Sequence, residues 1–157
     1  MSQVHVEVSD VVDARPEEIY AVLSDYHVGH AAILPKPYFA DMTVEQGGKG
    51  AGTVIRLRMK VFGTERVFRQ VVSEPEPGRV LVEMDADAGV VTTFTIEPLG
   101  GGKQSRVTIV TDSRVSPGIQ GLIEKLINPS FLRRLYKQEL RNLAEYVRSQ
   151  RSSVSAS

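Results

Sequence analysis

The pattern of apolar and polar residues at the start of the chain changes from a period of two to a helical period. Residues 3–12 alternate between valines and polar residues, which is typical of a strand buried on one face. Pro16 and two glutamates then open a segment with apolar residues at helical spacing, so we expect a short helix ending near Tyr26. A glycine and two prolines follow, and residues 27–39 are therefore predicted to be a short helical turn leading into an extended segment.

The middle of the chain consists of apolar and polar residues in alternation, interrupted by turns rich in glycine and proline. The clearest case is TVIRLRMKV, in which Ile55, Leu57 and Met59 should face the core while basic residues face outward. Short turns between such segments predict antiparallel neighbours. The predicted strands are 38–46, 53–61, 65–74, 79–86, 90–99 and 106–115.

The end of the chain has a helical pattern. Ser116 and Pro117 are suited to the first turn, and an aliphatic stripe then runs from Ile119 to Val147. Asn128 and Pro129 interrupt the stripe, so a kink or a restart is expected there. The polar residues 151–157 are predicted to form a disordered tail.

These elements predict an α+β fold in a single domain, residues 1–150. A seven-stranded antiparallel sheet with one apolar face needs a cover, and only the C-terminal helix is long enough to supply it. We therefore expect a curved sheet wrapped around this helix, with two short helices after the first strand closing one end.

Several stretches resemble the START-like (SRPBCC) superfamily, which includes the polyketide cyclase/dehydrase and lipid-transport proteins and the major birch pollen allergen. These stretches are DARPEEIYAVLSDY, ILPKPYF, GAGTVIRLRM, VSEPEPGRVLVE and RLYKQELRNLAEYV. The resemblance covers about residues 3–149 and implies the helix-grip fold. It also implies a cavity for bulky apolar ligands between sheet and helix, and only some members of this superfamily are enzymes.

Composition excludes several classes of protein. Lys plus Arg and Asp plus Glu are both 19, so the basic excess usual in nucleic-acid binders is absent. The chain has no cysteine, which excludes disulfides and thiolate metal sites. The N-terminus does not resemble a signal peptide, and no apolar run is long enough to span a bilayer. We expect a cytoplasmic protein without stable membrane insertion.

The stretch HVGHAAILPKPYF holds two of the three histidines, His27 and His30. Two imidazoles rarely suffice for zinc, which usually takes three or four protein ligands, so no metal is expected. We predict instead a gate to the cavity, in which apolar residues turn inward and both imidazoles remain near water. No cofactor fingerprint, Ser-His-Asp arrangement or pair of buried carboxylates stands out, so no cofactor is expected.

The remaining polar features have simple interpretations. The glycine-rich segment 47–52 precedes a strand, so it is interpreted as a flexible hairpin connection instead of a phosphate loop. Acidic residues on nearby strands, Glu65, Glu83 and Asp85, could pair with the outward basic row of the strand at 53–61. The face that Arg69 takes is left open. The basic residues of the C-terminal helix are assigned a solubilising role, although they could meet an anionic membrane.

Three hypotheses for function follow. The first is binding or transport of a bulky apolar small molecule, lipid-like or polyketide-like, oriented by a few polar groups including His30 and Tyr38. The second is a polyketide-cyclase-like aldol cyclase or dehydratase, and the third is a protein-interaction module; the chain could also form a homodimer. The catalytic residues are unknown at this level. The expected ligand-binding residues are His30, Leu34, Tyr38, Phe39, Ile55, Leu57, Met59, Phe94, Leu122, Leu126 and Leu135.

Overall fold

The computed structural model of the chain describes residues 2–61, 63–115 and 128–156. In chain order its elements are β1 (Ser2–Val12), α1 (Pro16–Leu23), α2 (Gly29–Ile33), β2 (Phe39–Gln46), β3 (Val54–Val61), β4 (Thr64–Glu76), β5 (Val80–Asp85), β6 (Val90–Leu99), a short 3₁₀ turn (Gly100–Gly102), β7 (Gln104–Val115) and α3 (Pro129–Ala156).

The strands form one curved, seven-stranded antiparallel sheet with the order β1-β7-β6-β5-β4-β3-β2. Strands β2 to β7 are a meander, since each pairs with its neighbour in sequence, and β1 adds beside β7. The predicted α+β helix-grip fold is confirmed, because the long helix α3 lies in the grip of this sheet and buries its apolar stripe there.

Strand β3 shows how alternation determines the two faces of the sheet. Ile55, Leu57 and Met59 are buried, whereas the basic residues between them are exposed. Of the predicted acidic partners of this basic row, only Glu65 pairs with it, at 3.5 Å from Arg58. The other two predicted partners, Glu83 and Asp85, are buried on the inner side, so that part of the prediction is wrong.

The structure also shows the positions of the Asp85 and Arg69 side chains. Asp85 accepts hydrogen bonds from the backbone N–H of Arg69 and of Ala88, so it fixes the start of a turn instead of pairing with a cation. The Arg69 side chain faces outward and pairs with Glu45 at 3.1 Å. Arg69 is therefore not available as a buried anchor for an anion.

The short helices close one end of the sheet. Helix α1 begins with Pro16, and the Glu18 carboxylate accepts a hydrogen bond from the Arg15 backbone N–H, which satisfies a donor of the first turn. The helix ends at Leu23, three residues earlier than predicted. The glycine-rich segment 47–52 packs there, with Gly48 and Gly50 bonded to the backbone of residues 24–26.

Helix α3 is attached to the rest of the fold at several points along its length. Near its middle, Asn142 donates a hydrogen bond to the Ile33 carbonyl of α2. Near its end, Arg151 pairs with Glu18 at 2.6 Å. The helix reaches Ala156 and so includes most of the segment predicted to be a disordered tail. The predicted cap at Ser116 and Pro117 lies outside the described residues. No described helix is long and apolar enough to cross a bilayer.

Candidate functional site

A cavity of about 50 Å³ lies between the inner face of the sheet and helix α3. Its walls are mostly aliphatic and aromatic, but they also carry acidic, imidazole, amide and hydroxyl groups. The lining residues among those described are His30, Leu34, Phe39, Met42, Ile55, Leu57, Met59, Phe68, Gln70, Glu83, Val90, Thr92, Phe94, Thr111, Leu132, Tyr136 and Glu139.

Helix α2 carries His30, and the last residue of α1 fixes the tautomer of its ring. The ring is 2% exposed, stacks on Tyr26 with a centroid distance of 4.5 Å and meets Phe94 edge-on at 5.4 Å. Its Nδ1 lies 2.7 Å from the Leu23 carbonyl oxygen. Because a carbonyl can only accept, Nδ1 carries the hydrogen. The other nitrogen, Nε2, is therefore a lone-pair base whenever the ring is neutral.

Two glutamates from different elements converge on Nε2 of His30. Glu83 of β5 places Oε2 at 3.4 Å, and Glu139 of α3 places Oε1 at 3.9 Å. The exposed fractions of the two glutamates are 5% and 2%. Tyr26 donates a hydrogen bond of 2.6 Å to the same Glu83 oxygen that faces the imidazole. The structure thus assembles a buried acid–base cluster, defined here as Tyr26, His30, Glu83 and Glu139.

Burial controls the protonation of this acid–base cluster. Loss of solvation, and secondarily the charge of Glu83, raises the pKa of the Glu139 carboxyl well above its ordinary value. Loss of solvation and the Glu83 carboxylate likewise raise the pKa of the Tyr26 phenol. The protonated form of Glu139 is favoured, so this side chain can act as a proton donor, and Tyr26 is held as a neutral hydrogen-bond donor.

A second polar group on the cavity wall is a chain of three hydroxyls. Tyr136 of α3 lies 2.6 Å from the Thr111 hydroxyl of β7, which lies 2.8 Å from the Thr92 hydroxyl of β6. Burial raises the pKa of the Tyr136 phenol, so its proton is retained. Three hydroxyls joined by two hydrogen bonds leave one terminal proton free, and Tyr136 can hold that proton when the chain is oriented towards it.

Two polar atoms at the cavity have no hydrogen-bond partner among the residues that the structure describes. They are Oε1 of Glu139 and Oε1 of Gln70. Buried polar atoms are normally hydrogen-bonded, and a bound water or ligand is the usual partner when the protein supplies none. These two atoms therefore mark where a ligand can be recognised.

The structure brings together most of the residues predicted to bind a ligand. Those that line the cavity are His30, Leu34, Phe39, Ile55, Leu57, Met59 and Phe94. Tyr38 and Leu135 do not line it and lie instead along a separate surface groove. Leu122 and Leu126 lie outside the described residues.

Two expectations about the histidines and carboxylates are wrong. His30 does not remain near water, because α2 turns it into the core, whereas His27 is exposed and its Nε2 lies 3.4 Å from the Gly47 carbonyl oxygen. Paired buried carboxylates are present, although none was expected. Within the described ranges no group of three or more His, Asp or Glu side chains is arranged to hold a metal ion.

Periodicity in the sequence could have identified two of the site residues that were not predicted, Glu83 and Glu139. Glu83 stands two residues after Leu81, which is fully buried, so the period of a strand places both on the inner face. Glu139 is four residues after Leu135 and three after Tyr136, within the stripe of α3 that faces the sheet. The missed lining residues are Met42, Phe68, Gln70, Glu83, Val90, Thr92, Thr111, Leu132, Tyr136 and Glu139.

Comparison with known proteins identifies similar chains. The family described as polyketide cyclase/dehydrase and lipid transport matches residues 3–148. A solution structure of the KanY protein is 30% identical, with a TM-score of 0.79, and the match covers 94% of this chain and 99% of that one.

Two more distant structures share the fold. A START superfamily protein from Mycobacterium smegmatis is 19% identical with a TM-score of 0.67, and the match covers 93% of this chain and 98% of that one. The Zhui aromatase/cyclase from Streptomyces sp. R1128 is 19% identical with a TM-score of 0.64, at 95% and 93% coverage. No curated protein matches the sequence significantly.

Proposed function

Because the chain belongs to the polyketide cyclase/dehydrase and lipid transport family, whose description includes both catalysis and ligand carriage, we propose that its cavity performs acid–base catalysis. The reaction that fits is the dehydration of a β-hydroxy carbonyl compound, as in the last step of an aldol cyclisation. The observation that carries this proposal is the convergence of Glu83 and Glu139 on Nε2 of a buried His30.

Each group has a role that its geometry supports. The lone pair of His30 Nε2 removes a proton from the carbon next to the carbonyl, and the protonated Glu139 supplies a proton to the departing hydroxyl. The carbon–carbon double bond forms as the carbon–oxygen bond breaks, so water leaves and no oxidant or reductant is needed. The Tyr136 hydroxyl lies on the cavity wall and, when the hydroxyl chain is oriented towards it, donates a hydrogen bond to the carbonyl oxygen.

Recovery of the acid–base cluster after each turnover requires a proton to move from His30 back to Glu139. Dehydration leaves the imidazole protonated and the Glu139 carboxylate ionised. The two atoms involved are 3.9 Å apart in the resting structure, so a small rotation allows the proton to return directly. Glu83, held by Tyr26 at 2.6 Å, stabilises the imidazolium in the interval.

The lining of the cavity supports a mostly apolar substrate, and its small volume means that the wall must move to admit one. A volume of about 50 Å³ holds a few water molecules, each needing roughly 10–15 Å³ by this measure. A substrate must therefore displace the apolar wall formed by Leu34, Phe39 and Leu132. The apolar inner face of β3 would contact the uncharged body of such a substrate. Because the same face could hold an apolar ligand without any reaction, simple binding is the second candidate function.

The test is the dehydration of the β-hydroxy ketone formed from benzaldehyde and acetone, followed by the ultraviolet absorbance of the conjugated product. We expect the wild-type protein to accelerate this reaction and His30→Gln to lower the rate by about 10²-fold or more. His27→Gln is the matched control, because it makes the same chemical change at an exposed position.

Glu139→Gln provides a second test if the His30 variant folds poorly, and circular dichroism checks the folding of each variant. The same loss in both cluster variants, with His27→Gln unchanged, supports the proposal. A wild-type protein that binds the ketone or its product but does not accelerate water loss would contradict it and favour ligand carriage. Equal rates for wild type and His30→Gln would also contradict it.

A further inference from the structure

A surface groove of about 600 Å³ lies between helix α3 and the segment that connects α2 to β2. We call it the basic groove. Its lining residues are Pro35, Lys36, Tyr38, Phe131, Arg134, Leu135, Lys137, Gln138, Arg141 and Asn142.

Four cationic side chains meet at the basic groove. Arg134, Lys137 and Arg141 are spaced by three and four residues, so they lie along one face of α3, and Lys36 approaches from the connecting segment. All four are exposed, and none forms a salt bridge with another described residue. The described lining contains no acidic residue. An anion in this groove would therefore meet positive charge on two sides.

Two other surface grooves of the described chain differ from the basic groove because they contain acidic residues. The groove between α1, α2 and the end of α3 contains Glu18 and Asp25, and the groove at β1 and β5 contains Asp85 and Asp112. Since the whole chain has a formal net charge of zero, the concentration of cations in the basic groove is a local feature.

The basic groove also offers aromatic surface. Tyr38 is 37% exposed, and its ring meets the ring of Phe131 edge-on with a centroid distance of 5.1 Å. Arginine side chains beside aromatic rings favour ligands that combine an anionic group with a flat apolar part. A groove of this volume falls within the range of roughly 300–1,000 Å³ that small-molecule sites occupy.

The basic groove and the cavity are lined by neighbouring residues of the same two parts of the chain. At the connecting segment, Leu34 and Phe39 line the cavity while Pro35 and Tyr38, their direct neighbours, line the groove. On α3 the same relation holds, because Leu132 and Tyr136 line the cavity while Phe131, Leu135 and Lys137 line the groove. A ligand that reached from the groove into the cavity would therefore pass between α3 and the connecting segment.

We propose that the basic groove binds the phosphate group of a phosphorylated, mostly apolar ligand whose uncharged carbonyl end enters the cavity. The cavity half of this statement rests on the proposed dehydration. A phosphate ester fits because a dianion suits several cations, and arginine forms paired hydrogen bonds with phosphate oxygens. The concave form of the groove suits a discrete ligand better than a flat membrane surface.

Naphthyl phosphate is a direct probe, because it combines an aromatic ring with a phosphate dianion, and isothermal titration calorimetry measures its binding. We expect it to bind more tightly than naphthol or inorganic phosphate, and to weaken as salt concentration rises. The double variant Lys137→Gln/Arg141→Gln should weaken binding by about tenfold or more. Arg133→Gln/Arg148→Gln is the matched control, since it removes the same charge from exposed positions of the same helix outside the groove.

A kinetic comparison tests the connection between groove and cavity. For a β-hydroxy ketone with a phosphate ester on its ring, the groove variant should raise KM and leave kcat nearly unchanged. For the uncharged ketone it should change neither. Equal binding of naphthyl phosphate by the groove variant and its control would overturn the groove proposal, and so would binding only to vesicles of anionic phospholipid.

The two proposals fail separately. If the groove variant binds naphthyl phosphate as well as its control does, while dehydration still depends on His30, only the groove proposal is refuted. Groove-dependent binding of naphthyl phosphate by a protein that does not dehydrate either ketone would refute the proposed reaction, together with the part of this inference that depends on it.

Discussion

Replacing Glu139 by Gln removes an ionisable group from the cavity while keeping nearly the same shape. In the wild-type protein, burial raises the pKa of Glu139 well above its ordinary value of 4.5, with Glu83 as a second cause. Between the unfolded and the folded pKa, the folded protein binds a proton that the unfolded chain has released. The stability from protonated Glu139 is therefore complete below about pH 4.5 and is lost as the pH rises through the folded pKa.

Linkage sets the magnitude of this effect. One proton bound in the folded state alone changes the free energy of unfolding by at most about 1.4 kcal/mol per pH unit. As the pH rises above about 5, the wild-type protein should therefore lose stability relative to Glu139→Gln, by no more than roughly 3 kcal/mol over two pH units. The titratable groups that face Glu139, namely His30, Glu83, Tyr26 and Tyr136, are present in both proteins and largely cancel in the comparison.

Urea unfolding, followed by far-ultraviolet circular dichroism at several pH values, measures the difference. Glu145→Gln is the matched control, because this residue is exposed on the same helix and pays no cost of burial. We expect the stability of Glu139→Gln relative to wild type to increase with pH and the control to give a nearly constant difference. A difference that is flat, or that changes in favour of the wild type as pH rises, would refute the assignment of Glu139 as a buried neutral acid.

Three further predictions concern packing and hydrogen bonding, and urea unfolding measures each of them. Leu140→Ala should lower the free energy of unfolding by about 2–5 kcal/mol, because the side chain is 2% exposed; a loss below about 0.5 kcal/mol would mean that the stripe of α3 does not face the sheet. Tyr26→Phe should cost about 1–3 kcal/mol, because Glu83 loses its buried donor, and an unchanged stability would contradict that bond. Gly29→Ala should be destabilising, because its Cβ would lie 2.7 Å from the Val22 carbonyl oxygen; a neutral result would show that the two helices can separate at little cost.

The fold could be predicted from the sequence because its signals are local and repeated. Alternation along β3 places Ile55 and Leu57 inward, and short turns leave antiparallel pairing as the simple outcome. The end of α1 was less predictable, because it depends on a tertiary contact and not on the local sequence. Ser24 accepts a hydrogen bond from Gly50, so a loop distant in sequence binds the backbone where the helix stops.

The candidate site was harder to predict because it contradicts the rule that charged residues face water. The chemistry of Glu83 suggests that it could pair with the outward basic row, although its spacing from Leu81 places it inside. His30 was expected near water for the same reason, and its buried position depends on the Leu23 carbonyl that accepts its Nδ1 hydrogen. Where side-chain chemistry and periodicity disagree, periodicity was the better guide in this chain.

The disagreement between chemistry and periodicity is itself an argument for function. Apolar residues of similar volume at the positions of Glu83 and Glu139 would avoid the cost of desolvating two acids, and such replacements are often neutral or stabilising. The hydrogen bond from Tyr26 offsets part of this cost at Glu83, but Oε1 of Glu139 has no hydrogen bond to any described residue, so the cost at Glu139 is not recovered in this way. Sequence positions that break local rules without a structural gain are expected at functional sites. A substrate that supplies the missing partner would gain the interaction that the resting cavity lacks, and this is why the acid–base cluster, more than the apolar wall, defines the site.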